Sequence, residues 1–468
     1  MSDTDNLFSA LRQSAGPASA AAVETLVREA PDHALARINV LAFARQRGLD
    51  EDEAIAAFLH AARLGLFELS WNVLCPSCGG VLDAGVTLKS VRSEAYHCAF
   101  CAVDTEPTLD ELVEVTFTVN PRVRRIGVHD PDTLPPFEYL RQVFLGSGVD
   151  LAGDADQRIQ DITLDSVELP AGEKAILSLQ ASEGTLILFD PVTHTTRILN
   201  IDGEPTRERQ ALTVIFSNFA GPTEARTLQP GPLRLTFENR STRRVLPSLW
   251  IADERLHGIL DRRRPFLTAK RLLTNQTFRD LYGTDTLDID QRLKITSLTF
   301  LFTDLKGSTS LYERVGDLVA YDLVRAHFQV LNSIVATQSG AVVKTIGDAV
   351  MATFPTPDRA MAAAIRMREA MRQLGDERNR EDLTLKIGIH EGPCLAVVLN
   401  ERQDYFGQTV NIASRVQGLA DSRAIFATGT VVDNPQTSSL LKASGLAPLP
   451  QRRAVQGLSG ELAVYEIP

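Results

Sequence analysis

Apolar and polar positions change rhythm along the chain, and each change predicts a different kind of element. Up to about residue 70, segments such as ARINVLAFARQRG and DEDEAIAAFLHAARLGLF repeat apolar residues every three or four positions, the spacing of helices with one buried face. From about 71 to 120 the rhythm shortens to the alternation of VEVTFTV, which predicts short strands. Between about 150 and 250, KAILSLQ, GTLILFD, TTRILNI, ALTVIFS and PLRLTFENR are strand-length runs separated by Pro, Gly, Asp and Asn. No long helical pattern divides them, which is the texture of a small β-sandwich. A polar, arginine-rich stretch at 252–292 reads as a partly helical linker.

After Leu293, strands alternate with long helices. TSLTFLFTD is almost continuously apolar, as fits a central strand covered on both faces. Val324, Phe328, Leu331 and Val335 make one helical stripe, which Gly340 is expected to end. AVVKTIGDAVMATF is two strand-like runs around Gly347-Asp348, a pair suited to a tight hairpin with Gly at its first central position. Thr356-Pro357 opens a second helix that buries Ala364, Met367, Met371 and Leu374. LKIGIHEG is a further strand and QTVNIASRVQGLA a further helix, so the order β-α-β-β-α-β of the ferredoxin-like split fold is expected for 293–468.

Composition narrows the function classes. With 468 residues, 44% hydrophobic and 23% charged, the chain can bury several cores. No uncharged apolar run approaches the roughly 20 residues that cross a bilayer, so no membrane is expected. Lysine plus arginine 48 against aspartate plus glutamate 59 leaves a net charge of −11, which argues against nucleic acid as a partner. The start MSDTDNLFSA lacks a basic segment followed by an apolar one, so a cytoplasmic location and reduced thiols are expected.

Four of the five cysteines form two C-x-x-C pairs, CPSC and CAFC, separated by 19 residues. That spacing is the one of a four-cysteine zinc ribbon on Cys75, Cys78, Cys98 and Cys101. With no carboxylate in either knuckle, a closed structural Zn²⁺ site is expected rather than a redox or catalytic one. His97 falls outside the ligand spacing, and Cys394 stands alone in a strand-like stretch. Arg122, Arg124, Arg125 and Arg262 to Arg264 read as solvated faces.

Further chemistry lies after residue 300. Asp304 ends one strand and Asp348 sits at the turn of a neighbouring hairpin, so the fold can bring both carboxylates to one edge. Two carboxylates this close repel unless a cation lies between them, and hard oxygen ligands suit Mg²⁺ or Mn²⁺. Asn411 and Arg415 share one helix face, with Ile412, Val416 and Leu419 on the other, and an amide beside a guanidinium suits a sugar and a phosphate. Lys344 and Asp404 are unremarkable singly, and each aspartate alone would read as a cap.

Taken together these residues carry a resemblance. FTDLKGST, KTIGDAVMATF, IGIHEGP, DYFGQTVNIASR and VQGLSGELAVYEI stand in the order and spacing of the class III adenylyl and guanylyl cyclase catalytic domain, which residues 297–468 resemble. The resemblance implies that Asp304 and Asp348 bind two metal ions, that Lys344 and Asp404 read the purine, that Asn411 orients the ribose and that Arg415 stabilises the phosphates. It implies ATP as substrate and a homodimer as the working form. Leu305 stands where many relatives have isoleucine, a harmless exchange if its backbone carbonyl meets the metal. Pro393 replaces an arginine and Gln456 a phosphate-binding lysine found in relatives, two departures that weaken triphosphate binding in expectation. Residues 65–290, with LSWNVLCPSCGG, VEVTFTVNP and LRLTFENRS, resemble an uncharacterised region found before such domains in bacteria.

The reading is thus a multidomain α+β chain: a helical region at 1–70, a zinc ribbon at 71–120, a β-rich sandwich-like regulatory domain at 121–251, the linker at 252–292 and a ferredoxin-like βαββαβ cyclase domain at 293–468. The expected activity is conversion of ATP to 3′,5′-cyclic AMP, under control of an unknown regulatory ligand or protein. A catalytically weakened nucleotide-binding signalling module and a guanylyl cyclase are the alternatives.

Overall fold

The computed structural model describes residues 3–218, 223–283, 287–288, 290–305, 316–377, 384–399, 402–420, 424–454 and 461–468. Two compact units form. The first comprises Met1–Val86, Ser90–Pro107 and Leu112–Leu267, the second Thr87–Lys89, Thr108–Glu111 and Thr268–Pro468. Among the described residues no helix is long and apolar enough to cross a membrane.

In the first unit, helices Asp3–Ser14, Pro17–Glu29, Val40–Arg47 and Glu51–Arg63 carry the expected apolar faces. Local chemistry sets their ends. Asn39 accepts from the backbone N–H groups of Leu41 and Ala42, Asp50 accepts from Asp52 and Glu53, and Gly48 between them takes a left-handed φ of 64°. The buried ring of Phe58 packs against Phe43, Phe67 and Phe117, which joins the helices to a sheet in which Phe67–Leu74 lies between Val81–Gly85 and Val113–Val119. The five strands foreseen after residue 170 form. Thr163–Ser166, Glu224–Leu228 and Ser248–Ile251 join them in sheets of three and five strands around a core that includes Leu188, Leu199, Phe216 and Phe237. Before Thr163 the chain makes short helical turns, among them Pro131–Thr133 and Pro136–Tyr139, where proline fits a first turn better than a ladder.

The second unit opens with α1 (Ala269–Leu273) and α2 (Gln276–Tyr282) and continues with β1 (Leu293–Leu305), α3 (Asp317–Thr337), β2 (Ala341–Ile346), β3 (Ala349–Phe354), α4 (Pro357–Glu377), β4 (Leu385–Leu399), β5 (Arg402–Phe406), α5 (Gln408–Gly418), β6 (Ile425–Thr428), β7 (Leu449–Ala454) and β8 (Glu461–Ile467). The strand order is β2-β3-β1-β4-β6-β8-β7, with β5 paired to β4. Its first four strands have the order of the split βαββαβ fold. Leu331 and Val335 of α3 and Met367 and Met371 of α4 pack on one face of this sheet with Leu301, Phe354 and Ile389. The segment read as a linker divides at Leu267, and its second part folds into this unit as α1 and α2.

Two glycines show where geometry rather than local sequence decides. Gly340 is not the left-handed residue that ends α3; Ser339 is, at φ 58°, while a Cβ on Gly340 would come 2.5 Å from the Phe354 ring. Close packing therefore demands the glycine. A Cβ on Gly388 would lie 2.1 Å from the backbone nitrogen of Gln417, so α5 can sit directly on β4 only because that side chain is missing.

Residues 108–111 form part of this unit although they lie far upstream in sequence. Leu109 N–H donates to the carbonyl of Lys294. The Asp110 carboxylate accepts from the backbone N–H groups of Thr296 and Ser297 and from the Thr296 hydroxyl. These amides lie where the β1–β4 register shifts between Ile295 and Leu298, so Asp110 satisfies donors that the ladder leaves over.

Candidate functional site

Asp304 is next to last in β1, opposite Lys386 of β4, and Asp348 occupies the two-residue turn between β2 and β3. Gly347 takes φ 63° at the first central position, and Val350 N–H donates to the Thr303 hydroxyl at 3.2 Å, tying the hairpin to the strand that carries Asp304. The carboxyl of Asp304 is held above the usual carboxylate range, first by burial and then by the charge of Asp348, with Lys386 and a hydrogen bond from Gln417 opposing. Asp348 Oδ2 is buried and has no hydrogen-bond partner among the described residues. An acid pair with an orphaned, buried oxygen fits a divalent cation.

His327 of α3 closes this neighbourhood. It is fully buried and neither ring nitrogen has a partner among the described residues; burial pushes its pKa down to about 4 against the charge of Asp348. The sequence held a signal, since His327 lies on the same stripe as Val324 and Leu331.

Lys344 and Asp404 meet. The half-exposed Lys344 ammonium, on β2, forms an ion pair with the nearly buried Asp404 carboxylate of β5. Asp404 Oδ1 also accepts from the N–H of Tyr405 at 2.8 Å, so the carboxylate is aimed from its own backbone. On α5, Asn411 is exposed and Arg415 half-buried, one turn apart. The hydroxyl of Thr409 donates to the carbonyl of Pro393 at 2.5 Å, which gives Pro393 a part in seating the start of α5. Gln456 lies outside the described residues, as do Lys306 to Thr309 of the FTDLKGST motif. Among the described residues no hydrogen bond or ion pair links Lys344 or Asp404 to the two aspartates, to Asn411 or to Arg415.

The four cysteines of the first unit converge, with all four Sγ atoms within 4.8 Å of one another. Cys75, Cys78 and Cys98 are buried, Cys101 is half-buried and none is in a disulfide. The Cys78 and Cys98 sulfurs are 3.8 Å apart. That separation equals the tetrahedron edge of roughly 3.8 Å that follows from a Zn–S bond of about 2.3 Å, so the residues fit zinc. Arg263, expected to be solvated, instead donates to the carbonyls of Ser77 and Cys78 at 2.6 and 3.1 Å and braces the first knuckle. Arg124 likewise binds the carbonyl of Val27 and the Asp32 carboxylate. His97 pairs with Asp104 at the surface, 2.9 Å away.

Comparison with known proteins divides the chain later than Leu267, after α1 and most of α2. A family model described as a family of unknown function (DUF5939) matches residues 1–280, and the model of the adenylate and guanylate cyclase catalytic domain matches residues 291–452. The chain is similar to an adenylate cyclase of Anabaena cylindrica, 29% identical over 185 residues that cover 36% of each protein. It is similar to adenylate cyclase 2 of Rhizobium meliloti, 34% identical over 132 residues covering 26% of this chain and 36% of the relative. Among solved structures it is similar to the adenylyl cyclase CyaB from P. aeruginosa, 25% identical with a TM-score of 0.33 over 38% of this chain and 96% of the other. The chain spans little over a third of the length of these two curated relatives.

Proposed function

The chain belongs to the family of unknown function DUF5939 and carries an adenylate and guanylate cyclase catalytic domain at residues 291–452, and on that basis we propose that it converts ATP to 3′,5′-cyclic AMP and pyrophosphate. The observation that carries the choice of ATP is the pairing of Lys344 with Asp404. Adenine offers a ring-nitrogen acceptor and an amino donor, which an ammonium and a carboxylate complement, whereas guanine presents the opposite pair. In the reaction the ribose 3′-hydroxyl attacks the α-phosphorus and pyrophosphate leaves. Asp304 and Asp348 would hold Mg²⁺ or Mn²⁺. Bound there, two such cations would supply a lowered pKa for the hydroxyl and charge to offset the triphosphate. Asn411 orients the ribose and Arg415 meets the charge that develops on phosphate, so the protein works mainly by positioning and charge stabilisation.

The site is completed by a second copy of the chain. Each chain carries one acid pair and one base-reading pair, which no hydrogen bond or ion pair links among the described residues, and two equivalent sites arise when two-fold symmetry sets the acid pair of one copy against the base-reading pair of the other. Ile346 and Phe406, each two residues from a base-reading residue, are 53% and 64% exposed, as suits residues covered on dimerisation.

Base choice is directly testable. With Mn²⁺, the purified chain should form cyclic AMP from ATP at a kcat/KM well above that for GTP. The Lys344→Glu, Asp404→Cys double variant should lose that preference by about tenfold or more, since a buried donor or acceptor left unpaired costs roughly 1–3 kcal/mol, about one to two orders of magnitude. A double variant that keeps its full ATP preference would show that the base is read elsewhere.

The cysteine cluster serves as a structural zinc site. Elemental analysis of protein purified without chelator should give one zinc per chain, and stripping it should lower the melting temperature, because a four-cysteine site couples metal affinity to folding. Protein free of zinc with an unchanged melting curve contradicts this.

A further inference from the structure

The polar stretch before the sheet places a guanidinium behind the pair that reads the base. α2 is fixed at its start, where the Asn275 side chain accepts from Phe278 N–H at 3.0 Å, and the buried Phe278 ring stacks on Tyr282 at 5.0 Å. From this helix Arg279 Nη2 donates to two carbonyl oxygens, those of Val343 at 3.3 Å and Gln403 at 3.2 Å. The first immediately precedes Lys344 and the second immediately precedes Asp404.

Both carbonyls are ones that the sheet does not hold in place. The β2–β3 register slips at Val343: Val342 faces Ala352 and Lys344 faces Met351, leaving Val343 as an inserted residue. A bulge of this kind re-aims the next side chain, and its own carbonyl falls out of the ladder. Among the described residues β5 pairs with β4 alone, so Gln403 lies on a strand whose second edge no described strand covers. Gln276, one turn before Arg279, adds a third anchor by accepting from Val342 N–H at 2.8 Å. The Arg279 charge also acts on the buried phenol of Tyr405, the residue after Asp404. One helix thus grips the backbone on the approach to both base-reading residues.

We propose that Arg279 is a specificity-determining positioning residue: by bridging the carbonyls of Val343 and Gln403 it fixes the spacing and aim of Lys344 and Asp404, so that the two accept adenine as a single preset pair. This rests on the assignment of Lys344 and Asp404 to base reading. Both bonds leave one nitrogen, Nη2, whose two N–H groups are fixed in the plane of the guanidinium, whereas the donors of a lysine ammonium turn freely on a flexible stem. Small displacements of a reading group are costly in a closed site, so loss of the bridge acts first on recognition of the base, whereas Asp304 lies on β1 and Asp348 in the β2–β3 turn that the Val350–Thr303 hydrogen bond ties to β1.

The test compares Arg279→Ala, Arg279→Lys and Gln276→Ala with the wild-type full-length chain in steady-state kinetics with ATP and GTP at saturating Mn²⁺. Melting temperature is measured alongside. The expected result is a KM for ATP raised about tenfold in Arg279→Ala, with kcat within about twofold and the ATP preference over GTP reduced by a similar factor. Arg279→Lys and Gln276→Ala should fall between, and they decide the matter if Arg279→Ala does not fold. An active wild type whose Arg279 variants keep the ATP preference, or lose ATP and GTP turnover equally in step with a lower melting temperature, overturns the assignment and leaves the cyclase reading standing. A wild type that forms no cyclic nucleotide removes that reading and this assignment with it.

Discussion

Replacing Asp304 or Asp348 by alanine should abolish the metal-dependent formation of cyclic AMP, a fall of at least roughly 10²–10³-fold, the range seen when one preorganised electrostatic group is lost. The reason lies in the pair rather than in either residue. Burial and the charge of Asp348 both disfavour the ionised form of Asp304, and Asp348 Oδ2 is buried with no described partner. In the metal-free protein, therefore, neither carboxylate supports the fold through that contact, and removing one relieves a repulsion. The melting temperature without metal should be unchanged or higher in both variants, while stabilisation by added Mn²⁺ should disappear. Turnover retained in either variant would refute the two-aspartate assignment; loss of turnover together with a collapsed melting temperature would point to a structural role instead.

Mixing two inactive variants should restore activity. Asp348→Ala lacks an acid ligand and Arg415→Ala lacks the phosphate-binding guanidinium, and in the proposed dimer each site draws these from different chains. A mixed dimer then has one site with both defects and one with neither. If subunits exchange at random, about half of the dimers are mixed and each has one working site of two, so the rate should approach roughly a quarter of wild type under two-fold symmetry. Verified subunit exchange without recovery would mean that both residues serve a site from the same chain.

The parts of the fold that were readable in the sequence are those set by local periodicity. TSLTFLFTD became most of β1, the stripe Val324, Phe328, Leu331 and Val335 became the inward face of α3, with Phe328 partly buried, and Gly347-Asp348 became the hairpin turn. Lys344 and Asp404 came from a resemblance, and the structure adds that they touch. What escaped depends on partners distant in sequence. Arg279 lies 64 residues from Val343 and 124 from Gln403, and nothing in the pattern TNQTFRDLY announces either contact. Val343 looks like any strand residue, because a bulge is a property of the pairing and not of the side chain. Arg263 read as one of three solvated arginines because its acceptors are backbone carbonyls 185 and 186 residues away.

The insertion of residues 108–111 beside β1 bears on modularity. A cut before residue 291, where the catalytic-domain match begins, would leave behind Asp110 together with α1 and α2, and would expose the amides of Thr296 and Ser297 that Asp110 now satisfies. A catalytic fragment cut at that one junction should therefore be less stable than one that keeps residues 108–111 and α1 and α2. A chimaera that exchanges the upstream region has to replace this short clip, so its sensor and its catalytic sheet share a segment that neither can give up alone.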